Sequence, residues 1–131
     1  MALFFLASLF LASCSKNSSE DLEVKVGALS DCMQSGGSLQ VLSKQTSTSY
    51  RWIGDNKMEI KRNNVPVACK SAEIKVNAKV ENGCIIVDES PLKDTDTCLC
   101  VRNFRYEIEE IPSGDYNFVL NGNNYGLIRI Y

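Results

Sequence analysis

The chain has 131 residues, 44% of them hydrophobic, and a formal net charge of −2. That length suffices for one domain with a real core, and the charge balance carries neither a nucleic-acid footprint nor a polybasic membrane patch. Histidine is absent, which excludes Ser-His and Cys-His nucleophilic pairs, imidazole metal ligands and imidazole proton shuttles.

Residues 1–13, M-A-L-F-F-L-A-S-L-F-L-A-S, are apolar and uncharged. The run is shorter than the ~20 residues needed to cross a bilayer and fits the h-region of a secretory signal. It ends in Leu11-Ala12-Ser13-Cys14, which, apart from a missing basic n-region, resembles a bacterial lipobox. The resemblance implies cleavage before Cys14 and a diacylglycerol on its thiol. Residues 15–21, S-K-N-S-S-E-D, then read as a flexible tether, and the globular body is expected over 22–131.

Strand patterns follow one another from there. Leu22, Val24 and Val26 alternate with Glu23 and Lys25. Ser35-Gly36-Gly37-Ser38 reads as a turn or loop, and Leu39-Gln40-Val41-Leu42 as a short strand. Thr48, Tyr50 and Trp52 share a face; Gly54-Asp55-Asn56 turns the chain; Met58 and Ile60 alternate with Glu59 and Lys61, a hairpin pattern. Asn63-Asn64 and Pro66 are expected to interrupt. Ala72, Ile74, Val76, Ala78 and Val80 form the cleanest alternation, Asn82-Gly83 is a strong hairpin signal, and 84–87 returns. An acidic loop is expected over 88–97. No segment has a helical period.

Phe104, Tyr106 and Ile108 alternate with Arg105, Glu107 and Glu109, and Pro112-Ser113-Gly114 is turn chemistry. Tyr116 just past it suits a tyrosine corner, its hydroxyl bonding back to the turn backbone, with Gly114 expected at positive φ. Asn121-Gly122-Asn123-Asn124 turns the chain into a last strand over 125–131. Seven to nine short strands at this spacing predict an all-β fold, an antiparallel β-sandwich of immunoglobulin-like or prealbumin-like kind. The pattern F-x-Y-x-I-x-x-I-P-x-G-x-Y-x-F-x-L over 104–120 resembles the closing hairpin of prealbumin-like and Cna-B-type sandwich domains, which implies a spacer or binding module. The lipobox, the Cys98-x-Cys100 strand and the I-P-x-G-x-Y corner together resemble small lipoproteins of the Bacteroides group.

With Cys14 lipidated, five cysteines remain: Cys32, Cys69, Cys84, Cys98 and Cys100. An exported chain meets an oxidising compartment, so disulfides are preferred to a metal site, which would lack both histidine and a Cys-x-x-Cys knuckle. If 88–97 closes a hairpin, Cys84 falls near Cys100, and Cys69 falls beside the loop end leading into Cys98. At least one bridge is therefore expected from Cys69 or Cys84 to Cys98 or Cys100. Cys98 and Cys100 stand parallel on one strand and should not bridge each other. Cys32 is expected either unpaired or joined to whichever cysteine is left.

Tyr50 and Trp52 are candidates to stack on a sugar ring, against the simpler expectation that both are core. Asp88, Glu89, Asp94 and Asp96 could hold calcium only outside any EF-hand pattern, and read better as a solvated loop. No two carboxylates are singled out as a hydrolase pair. The expected role is a non-catalytic binding or structural module of the cell envelope, without metal or cofactor. Its lipid on Cys14 is expected to hold it at the outer membrane, periplasmic or surface-facing. An unknown protein or glycan is its partner, with an inhibitor or immunity-type protein and a Tyr50/Trp52 carbohydrate module as alternatives.

Overall fold

The computed structural model of the chain describes residues 19–36, 46–70, 74–90 and 98–131, with 34–36 described as backbone only. Among these residues the chain is all-β. Its strands are β1 (Ser19–Val26), β2 (Gln34–Gly36), β3 (Ser47–Gly54), β4 (Lys57–Ala68), β5 (Val76–Glu81), β6 (Cys84–Glu89), β7 (Leu99–Glu109), β8 (Gly114–Leu120) and β9 (Asn123–Ile130). The strand expected over 39–42, together with Cys14, Ala72, Asp94 and Asp96, lies outside the described residues.

The hairpins form where the sequence carries residues that tolerate positive φ. Asp55 and Asn56 turn β3 into β4, Asn82 and Gly83 turn β5 into β6, and Asn121 and Gly122 turn β8 into β9, all with φ between 41° and 82°. Such pairs match the twist of the strands they join. The wider arrangement goes beyond these hairpins. The strands make one mixed sheet in the order β3-β4-β7-β1-β5-β6-β8-β9, with β2 also paired to β7. The sheet nearly closes into a barrel. β1 makes this continuity: its first half pairs with β5 (Leu22 opposite Ala78) and its second with β7 (Val24 opposite Ile108).

Three expectations are corrected. The strand from 98 does not follow β6 as a hairpin. β7 is the long apolar strand and lies between β4 and β1, where both of its edges are paired, and β6 takes β8 as a parallel neighbour instead. Asn63, Asn64 and Pro66 do not end β4. Asn64, at φ 56°, makes a bulge, its N–H donating to Asn103 Oδ1 at 2.9 Å. Pro66 pairs opposite Val101 beyond the start of β3, where β4 has an open edge and needs no second N–H. Finally, β1 starts at Ser19, within the expected tether, because Ser19, Glu20 and Asp21 find a partner strand opposite Glu81, Val80 and Lys79.

The alternation along each strand fills the barrel. Met58, Ile60, Ile85, Val87, Tyr106, Ile108, Phe118, Leu120 and Ile130 are fully buried and form one core with Ile111 and Tyr116. The Tyr116 hydroxyl donates to Pro112 O at 2.6 Å, the corner read from the sequence. Gly114, however, is not at positive φ; that role at this corner falls to Glu110, at φ 55°. Gly114 instead gives room to the Tyr116 ring, which a Cβ there would meet at 3.6 Å.

The edges β3 and β9 face each other without a backbone ladder and are joined by side chains and by one backbone hydrogen bond from the turn after β3. Tyr50 Oη donates to Tyr125 O at 2.8 Å, Trp52 Nε1 to Tyr131 O at 3.1 Å, and the Asn56 backbone N–H to Tyr131 O at 2.7 Å. The Trp52 and Tyr131 rings meet edge-on at 5.2 Å, and Tyr50 packs on Phe118 at 4.7 Å.

Candidate functional site

At the end of the barrel where β6 finishes, the inward phase of two strands changes from apolar to charged. On β4 the series Met58, Ile60 continues with Arg62; on β6 the series Ile85, Val87 continues with Glu89. Their side chains are only 10% and 5% exposed. Arg62 Nε lies 3.0 Å from both Glu89 oxygens, and an Arg62 Nη donates to Thr48 Oγ1. Tyr106 Oη donates to Glu89 Oε2 at 2.9 Å and Asn121 Nδ2 to Oε1 at 3.0 Å. Asn121 also accepts the Glu89 N–H through Oδ1, at 2.9 Å. Buried charge is tolerated only when it is paired and its remaining lone pairs are filled, and both conditions are met here. Burial, with the Glu89 carboxylate beside it, raises the Tyr106 phenol far above its ordinary value, so it stays a neutral donor.

This network floors a cavity of about 630 Å³. Val65, Pro66, Val67, Ile74 and Phe104 supply apolar walls, and Thr46, Asp88 and Ser90 add polar lining. The bulge at Asn64 and the early start of β3 shape it, since Val65 and Val67 lie past the last β3–β4 pair, Ser47 opposite Asn63. The volume falls within the usual range for a small-molecule site, and apolar walls with a few convergent polar groups are the usual lining. Both Glu89 oxygens are occupied by three side chains, Arg62, Tyr106 and Asn121, which fix the carboxylate in place.

The cysteines gather beside this end. Cys69 bridges Cys98, with Cα atoms 5.5 Å apart, and Cys32 bridges Cys100, at 5.2 Å. The expected link from Cys69 to the Cys98/Cys100 pair is thus present, but through β4–β7 pairing, in which Val67 opposes Cys100 and Ala68 opposes Leu99, and not through a β6–β7 hairpin. The geometry that set Cys84 against Cys100 is corrected: Cys84 opens β6 at the other end, opposite Asn117, and is not a free thiol. Arg102 lies against the bridges, its Nη groups donating to Ser30 O at 2.9 Å and Cys69 O at 3.3 Å.

Other sequence candidates fall elsewhere. Tyr50 is half-buried and engaged in the seam, whereas Trp52 is 42% exposed, which corrects the expectation of a core tryptophan. Its partner strand edge lies at the barrel's surface, so the indole covers the seam and not the interior. Of the acidic group, Asp88 is exposed but Glu89 is buried in the ion pair, so a uniformly solvated loop is also corrected. Among the described residues no cluster of His, Cys, Asp or Glu is arranged for a metal. Arg62 and Tyr106 were not identified as site residues from the sequence. The available signal was an arginine at the next inward position after Met58 and Ile60, matched by a glutamate after Ile85 and Val87.

Comparison with protein families, with curated proteins and with solved structures finds no match for this chain.

Proposed function

We propose that the protein is a non-catalytic binding module of the bacterial cell envelope, lipid-anchored through Cys14, with its ligand site in the cavity above Arg62 and Glu89. The cavity carries this reading: about 630 Å³ lined in part by apolar side chains over a satisfied buried ion pair. The anchor is supported by the Leu-Ala-Ser-Cys junction behind an apolar h-region. A sandwich relationship of immunoglobulin-like or prealbumin-like kind belongs to the same proposal, supported by β1 passing from β5 to β7 along its length and by the Tyr116 corner.

Labelled palmitate should mark the wild-type protein and not Cys14→Ala, which should be released in soluble form. Intact mass after reduction gives a second readout. A reduced protein without the lipid mass increment contradicts the anchor. A second reading, glycan binding at Trp52, is favoured by the exposure of that indole and of Tyr131 beside it. Glycan-array binding abolished by Trp52→Ala would support it. A protein captured from envelope extract, with no glycan or small-molecule binding, would point to the inhibitor or immunity-type role.

A further inference from the structure

We infer that the cavity selects neutral amphiphiles: molecules with an apolar body and one uncharged hydrogen-bond acceptor, in preference to carboxylates or amines. The inference rests on the reading of this cavity as a binding site and adds the chemical class of its ligand. It follows from which polar groups around the cavity are already used. Thr46 Oγ1 donates to Asn64 O at 2.8 Å, and Ser90 Oγ donates to Lys75 O at 3.0 Å while accepting its N–H at 3.1 Å. Asn121 is committed at both ends of its amide to Glu89. Both oxygens of Glu89 are taken by Arg62, Tyr106 and Asn121. Arg62 uses Nε and one Nη, and its Nη2 makes no hydrogen bond among the described residues. Nor is Nη2 fully buried, because among the described residues only Arg102 Nε is both buried and unpartnered, and Arg62 lines this cavity. One guanidinium donor is therefore left open beside the apolar walls.

Charge decides what that edge accepts. Arg62 is already neutralised by Glu89 at 3.0 Å, and the exposed carboxylate of Asp88 stands at the same cavity. A carboxylate ligand on Nη2 would set a second anion against one cation beside apolar walls, where its desolvation is poorly compensated. An ammonium would meet the Arg62 guanidinium, and the carboxylate open to it among the described lining residues, Asp88, is exposed to water, which screens such a pair. A hydroxyl, ester or amide oxygen gains the Nη2 donor without burying net charge, and its chain replaces water along Val65, Val67, Ile74 and Phe104.

The experiment uses the disulfide-bonded protein at neutral pH with the uncharged fluorophore 1-N-phenylnaphthylamine, displaced in turn by decanol, decanoate and decylamine, which share one chain and differ in head group. Decanol should displace at a concentration at least ten-fold below the other two. Val67→Trp, which fills the cavity from an apolar wall, should abolish fluorophore binding while melting cooperatively; Ile74→Trp serves if that variant does not fold. Decanoate or decylamine equal to decanol, or better, overturns the neutral-ligand inference while leaving the cavity as a site. No fluorophore binding to the wild type, or binding unaltered in a folded cavity-filling variant, overturns the site itself.

Discussion

Glu89 and Tyr116 are two polar side chains in one core, and each is held for a different reason. The Tyr116 hydroxyl satisfies a local carbonyl, Pro112 O, at 2.6 Å. Tyr116→Phe should therefore cost about 1–2 kcal/mol in chemical denaturation, the usual penalty for leaving a partly buried acceptor unpaired; an unchanged midpoint removes the corner's contribution. Gly114→Val should also destabilise, but by crowding the Tyr116 ring and not by backbone strain. Glu89 instead answers a charge on another strand. Arg62→Met should cost about 3–5 kcal/mol because it strands a buried carboxylate, and Arg62→Met with Glu89→Met should recover much of that loss. Single and double variants of equal stability would contradict the pairing. Tyr106 adds a pH dependence. Its folded pKa is raised, by burial first and by Glu89 second, so the folded state holds its proton where the unfolded state, near pH 10, releases it. Stability from this group is complete below pH ~10 and falls by about 1.4 kcal/mol per pH unit above it. Tyr106→Phe should flatten that alkaline slope in denaturant melts, and identical slopes would rule out a buried neutral phenol. Tyr116 was legible from the sequence because corner and partner lie four residues apart. The Arg62–Glu89 pair was not, because inward charges are recognised as partners only when their strands are known to face each other.

At the scale of elements, local chemistry was readable and strand order was not. Asp55-Asn56, Asn82-Gly83 and Asn121-Gly122 adopt the positive φ values their side chains favour, and each makes its hairpin. Asn56 goes further: its amide donates to Ile111 O at 2.8 Å and Ser113 Oγ at 2.9 Å, so the first hairpin is tied to the Tyr116 corner. The pairings β4–β7, β1–β7 and β6–β8 depend on which long apolar faces find each other, and the alternation of one strand does not state its neighbour. The same distinction explains the cysteines: compartment and spacing favoured bridges, but only the β4–β7 register brings Cys69 to Cys98. The bridges Cys69–Cys98 and Cys32–Cys100 span sequence separations of 29 and 68. Replacing either pair with alanine should cost about 2–4 kcal/mol, and loss of Cys32–Cys100 should cost the more, by roughly 0.8 kcal/mol on loop-closure entropy. Full stability in either double variant would show that strand pairing alone fixes this end.

For the whole molecule, the direction of the strands gives the barrel two different ends. Ser19 opens β1 opposite Glu81, beside the β5–β6 turn, and Trp52 and Tyr131 lie at the ends of β3 and β9 that reach this side. Arg62, Glu89 and the two bridges lie at the other end, roughly 16 Å away along β6 at ~3.3 Å per residue. The account depends most on the cavity being where ligand binds, in preference to the aromatic seam. Amide shifts of the isotopically labelled protein titrated with decanol test this directly. Perturbations centred on Val65, Val67, Ile74, Glu89 and Phe104, saturating together and absent from a folded Val67→Trp variant, are the predicted result. Shifts confined to Trp52, Tyr125 and Tyr131, or none at all, would contradict it.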